Sequence, residues 1–89
     1  MKRGLIADSS DNVGMVLERV KAGDSVDFGT LQITSLDTIA MPGKMALVAI
    51  AKGAAVRKFG GIIGYATADI PAGSWVHSHN LSSGTAKEG

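Results

Sequence analysis

The chain has 89 residues and no cysteine, with nine Lys or Arg against eight Asp or Glu and a net charge of +1. That length allows one domain, the missing thiols exclude disulfides and thiolate metal sites, and the even charge with no basic stripe argues against nucleic-acid binding. Aromatic residues are only 4% of the chain while glycine occurs 12 times, so turns are plentiful, the core is small, and burial against a partner is expected.

The start, Met1-Lys2-Arg3, carries the charge of a signal-peptide n-region, but only Gly4-Leu5-Ile6-Ala7 follows before Asp8, too short for an h-region. No stretch approaches the ~20 apolar residues that span a bilayer. A soluble cytoplasmic protein is expected, with no membrane partner. Asp8, Asp11 and Asn12 then form a polar cluster, which suits a turn or a helix N-cap. From Asn12 to Val20 the pattern is ambiguous. Val13, Val16, Leu17 and Val20 fit a helical face, whereas Val13, Met15 and Leu17 fit a strand.

Val20-Lys21-Ala22-Gly23-Asp24-Ser25-Val26 opens a short internal repeat, echoed by Ile50-Ala51-Lys52-Gly53-Ala54-Ala55-Val56 and Ile70-Pro71-Ala72-Gly73-Ser74-Trp75-Val76. Each copy reads as strand, glycine turn, strand, with the glycine supplying positive φ. The uneven spacing excludes a solenoid and predicts one small sheet that turns three corners. Val26 and Phe28 alternate, as do Leu31 and Ile33, and Gly29-Thr30 between them predicts a hairpin. Pro42-Gly43 suits the centre of a type II turn. Met45, Leu47 and Ala49 alternate, but Ala46, Val48 and Ile50 are apolar too, which predicts a strand covered on both faces. Gly60-Gly61 makes a further turn before Ile62-Ile63-Gly64-Tyr65. Leu81–Gly89 is rich in Ser and Gly and is expected to be a disordered tail. The sum is an all-β domain over residues 1–80 with little helix.

The segments Ile50-Ala51-Lys52-Gly53-Ala54-Ala55-Val56-Arg57-Lys58-Phe59-Gly60, Ile63-Gly64-Tyr65-Ala66-Thr67-Ala68-Asp69-Ile70 and Ala72-Gly73-Ser74-Trp75-Val76-His77-Ser78-His79-Asn80 together resemble the N-terminal SAF domain of the altronate and galactarate dehydratase family, the altronate branch most of all. The likeness extends upstream through Asp11-Asn12-Val13, Lys44 and Ala46-Leu47, and so covers nearly the whole chain to Asn80. A sulfolactate sulfo-lyase with a separate small subunit is a similar member. The resemblance implies a small β-clip fold. It also implies a much larger dehydratase domain or subunit as partner, completing a metal-dependent site with a divalent metal, iron among the candidates. The implied chemistry is loss of water from a small sugar acid to give a 2-keto-3-deoxy acid. Two departures stand out. Asp8 and Gly43 occupy positions where the family pattern has histidine.

The candidate site residues follow. His77 and His79 are the only histidines. On a strand they would share a face with Trp75, opposite Val76 and Ser78. The pair could donate two ligands to a divalent metal, hydrogen-bond a substrate carboxylate, or act as acid and base. From the residues alone, a solvated edge strand is the plainer account. Lys44 is either solvated surface or, by the family position, a catalytic or substrate-binding cation facing a carboxylate. Asp11 and Asn12 are expected near the substrate by the same resemblance, and Asp8 is read first as a turn residue. Trp75 is expected as an interface anchor. Three functions stay open: a lyase subunit inactive alone, for dehydration or desulfonation; a noncatalytic SAF binding module; and a self-associating domain forming a homo-oligomer.

Overall fold

The computed structural model describes residues 1–82, which contain no helix, so the all-β expectation holds. Nine strands follow in order: β1 Lys2–Leu5, β2 Val13–Val16, β3 Ser25–Asp27, β4 Gln32–Thr34, β5 Gly43–Ala46, β6 Ala55–Lys58, β7 Gly61–Ala66, β8 Trp75–Val76 and β9 Leu81–Ser82. One sheet has the order β4-β3-β1-β2-β5-β8 and a second has β6-β7-β9. All pairings are antiparallel except β1 with β3. Among the described residues no helix is long and apolar enough to cross a membrane.

The three repeats fold alike. In each, a turn closes with an i to i+3 bond: Asp24 N–H to the Lys21 carbonyl at 2.9 Å, Ala54 to Ala51 at 2.9 Å, and Ser74 to Pro71 at 3.2 Å. The glycine at the third position has φ of 94°, 86° and 90° at Gly23, Gly53 and Gly73, as a type II turn requires. The glycine N–H then reaches a neighbouring strand end, Ser35, Ala66 and Ala46 in turn, and that residue's N–H returns to the corner. The residues heading the repeats pair as well, Val20 with Ile39 and Ile50 with Ile70.

The core has two parts. Val13, Ala46, Ile50, Val56, Ala66, Ile70 and Val76 join the two sheets. Val16, Val20, Val26, Phe28, Ile39, Met45 and Leu47 pack within the six-stranded sheet. Strands β2 and β5 feed both, because neighbouring residues point to opposite faces. Phe28 lies directly on β1 and β2, where a Cβ on Gly4 or Gly14 would overlap its ring.

Several local expectations change. The ambiguous segment after Asn12 is strand β2, paired on both edges. Pro42-Gly43 is not the centre of a type II turn: Gly43 already belongs to β5 and its φ is not positive, while the Met41–Pro42 peptide is cis. The domain does not end at residue 80. Leu81 and Ser82 form β9 on β7, with Leu81 packed against the first core cluster; one apolar side chain with a strand edge to cover outweighs the polar composition around it. The rest of the expected tail lies outside the described residues. β1 had no pattern to announce it, since alternation covers Lys2 and Gly4 and exposes Arg3 and Leu5.

Candidate functional site

Strand β8 is only two residues long. Trp75 pairs with Met45 and packs on the second core cluster, while Val76 is fully buried in the first. The Trp75 N–H is held at 2.8 Å by the Asp37 carboxylate. Beyond Val76 the chain does not continue as a strand. Asn80 closes a turn instead: its Oδ1 accepts the His77 N–H at 3.0 Å and its Nδ2 donates to the Trp75 carbonyl at 2.9 Å. The N–H groups of Asn80 and Leu81 both point at the His77 carbonyl.

That turn brings the two imidazoles onto one indole. The His77 ring stacks on Trp75 at 5.0 Å and 9°, and the His79 ring lies at 5.1 Å and 39°. The expected common face therefore exists, but a turn makes it and strand alternation does not. Both histidines are exposed. Among the described residues, neither imidazole nitrogen has a hydrogen-bond partner, so both remain available to a ligand. Trp75 is half-buried and serves as their platform.

The other candidate residues stand elsewhere. Lys44 pairs in register with Met15 and Val76. This puts it on the sheet face opposite Trp75, so the structure does not gather Lys44 and the imidazoles on one surface. Partial burial, and secondly the charge of Lys58, hold the Lys44 ammonium below the usual lysine pKa. Asn12 acts as a backbone staple. Its Nδ2 donates to the Ala55 carbonyl at 2.9 Å and its Oδ1 accepts the Arg57 N–H at 2.7 Å, fastening β2 to β6. Asp11 accepts the N–H groups of Phe59 at 3.0 Å, Gly60 at 2.8 Å and Asp8 at 3.1 Å. The geometry thus gives both side chains structural work, with their polar atoms already engaged.

Asp8 fits the turn alternative. Its carboxylate accepts the Ser10 hydroxyl and amide, and these bonds hold its pKa below the ordinary value. Gly43 is buried, and a Cβ there would come within 2.6 Å of the Ala40 carbonyl oxygen and overlap Ile39. The backbone at this position is shaped for glycine and leaves no room for an imidazole.

Sequence reasoning missed Asn80 and Asp37 as the residues that set Trp75 and the histidines in place. Asn80 is only 9% exposed, and the signal in the sequence that could have found it is an Asn directly after His77-Ser78-His79, a residue type that closes turns through its side chain. Asp37 acts across 38 positions in sequence, for which no local signal exists.

Among the described residues, no three or more His, Cys, Asp or Glu are grouped to hold a metal ion. Two imidazoles are a partial donor set of the borderline kind that suits divalent iron or zinc.

Comparison with known proteins gives a match over residues 2–84 to the family described as altronate/galactarate dehydratase SAF domain. The chain is also 46% identical over 70 residues to altronate dehydratase of Escherichia coli strain K12. The matched part is 79% of this chain and 14% of that protein.

Proposed function

This chain belongs to the altronate/galactarate dehydratase SAF-domain family, and on that premise we propose that it is the small β-rich part of a sugar-acid dehydratase. In this proposal His77 and His79 are presented at the rim of a site that a much larger dehydratase domain or subunit completes. The substrate class is a hydroxy acid that loses water to give a 2-keto-3-deoxy acid. The two imidazoles would be partial ligands to a divalent metal or a proton-transferring pair, with the remaining groups supplied by the partner. The observation that carries the proposal is the exposed imidazole pair stacked on Trp75, held there by Asn80. Its context is a chain that matches 14% of the relative's length, which leaves most of a dehydratase to be found elsewhere.

The test is reconstitution. The chain is combined with the large portion of an altronate dehydratase, and dehydration is measured for wild type and for the His77→Ala, His79→Ala double variant. Turnover is expected to fall at least about 100-fold in the variant. Loss of the aromatic stack costs about 1 kcal/mol, so the domain stays folded. Undiminished turnover in the folded double variant excludes a chemical role for the pair.

A second proposal, a noncatalytic SAF module that binds without reacting, draws on Gly43 and Asp8. At these positions the family pattern has histidine, and here one is sealed against any side chain and the other is occupied by a turn. It predicts that the double variant changes partner binding at most, and leaves turnover of the assembly untouched.

A further inference from the structure

The β6–β7 hairpin carries an unexpected residue at its tip. Phe59 and Gly60 occupy the two central positions with φ of 57° and 78°, the paired positive values of a type I′ turn. Asn, Asp and Gly are the residues that suit such positions, and a bulky side chain there is an outlier that points to a role outside folding. Phe59 is nonetheless 70% exposed, the Lys58 ammonium lies 4.5 Å over its ring, and Asp11 clamps the tip through both N–H groups. The fold therefore holds an aromatic ring out in solvent at a fixed place, with the half-buried Lys58 beside it.

Beside this knob lies a matching hole. A cleft of about 480 Å³ is lined by the apolar Ile6, Phe28, Leu31, Leu47 and Val48 and by the acidic Asp8 and Asp11. The Asp8 carboxylate is exposed, and it stands about 3.4 Å from where a Cβ on Gly60 would be. Knob and hole thus adjoin on one surface. The knob is aromatic and cationic, and the hole is apolar and anionic, so the surface complements a second copy of itself. Two copies related by a two-fold axis would each insert Phe59 into the other's cleft and set Lys58 against the other's Asp8, as an isologous contact demands.

We propose that this hairpin tip and cleft form a homodimer contact, with a second copy of this chain as the occupant of the cleft. The contact is independent of the sugar-acid proposal, because it uses neither the histidines nor Lys44.

Sedimentation equilibrium of the chain, from micromolar to millimolar concentration, should show a monomer–dimer equilibrium. Phe59→Asn should weaken dimerisation at least about tenfold, since a central aromatic anchor dominates such contacts. Asn accepts positive φ, so the thermal midpoint should hold or rise. Lys58→Glu and Asp8→Lys should each be monomeric alone, because each sets like charges across both halves of the contact. Mixed together they should pair as a heterodimer, since both charge contacts are then restored. A wild type that stays monomeric, a Phe59→Asn variant that dimerises like wild type, or a charge-reversed mixture that stays monomeric would each overturn the proposal.

Discussion

Lys44 is a cation set where its charge is disfavoured. It lies between Met15 and Val76, partly buried, and the Lys58 charge adds to the penalty. Its folded-state pKa is therefore below the unfolded value near 10.5. Between those two values the folded chain binds fewer protons than the unfolded one, so stability rises with pH in that window. Below it, the full cost of the buried charge is present. Lys44→Met, which keeps the apolar stem and removes the charge, should then be at least as stable as wild type at neutral pH. Its advantage should shrink as the pH climbs through the alkaline range toward 10.5, as read from urea midpoints of the two proteins at several pH values. A variant that is less stable at neutral pH, with a gap independent of pH, would show that desolvation does not govern this site. At this scale the sequence was partly legible. The His-x-His spacing and the lone Trp75 marked the three rings that the structure brings together, because residue type and local spacing suffice for that. Asp11 and Asn12 were legible as important but not in kind: their partners Phe59, Gly60, Ala55 and Arg57 lie more than 40 positions away, and only the fold brings them together.

The glycine corners are the elements that local sequence specifies best, since an i to i+3 turn with one positive-φ residue is closed within four residues. What sequence cannot supply is what each corner faces. A Cβ on Gly23 or Gly53 meets nothing within 4 Å, whereas one on Gly73 would overlap the Thr34 carbonyl oxygen and lie 3.5 Å from Ile33 and Leu36. The three copies look equivalent as sequence and are not equivalent in packing. Gly53→Ala should cost about 1 kcal/mol, the ordinary penalty for a side chain at positive φ. Gly73→Ala should cost at least about 3 kcal/mol, since a backbone carbonyl cannot swing aside as a side chain can. Chemical denaturation of the two variants checks this, and equal losses would mean that the β3–β4 hairpin yields easily to the corner it touches. The same distinction explains the misjudged ends. β8 stops at Val76 because Asn80 captures the chain, and β9 forms because β7 offers an edge to Leu81; both are decided by tertiary partners and not by local pattern.

For the molecule as a whole, the all-β class and the family likeness were readable from the glycine corners and the combined motifs, but the division of the core was not. Two clusters share a pair of strands: Val13 of β2 and Ala46 of β5 serve one, and Val16 and Met45 of the same strands serve the other. Two half-cores could melt separately if each had its own strands. Here neither can lose its packing without releasing β2 and β5, so the domain should unfold as a single cooperative unit, as small domains commonly do. Trp75 reports on the second cluster, against which it packs, while Ile70 is 2% exposed in the first. Ile70→Val removes one methylene from the cluster that does not contain the indole and should cost about 1 kcal/mol. The urea midpoint should drop by the same amount whether followed by Trp75 fluorescence or by far-ultraviolet circular dichroism, because strands β2 and β5 transmit the loss. A fluorescence midpoint that stays at the wild-type value while the dichroism midpoint falls would mean that the clusters unfold independently. In that case β2 and β5 would act as a hinge between two weak cores and not as a shared wall.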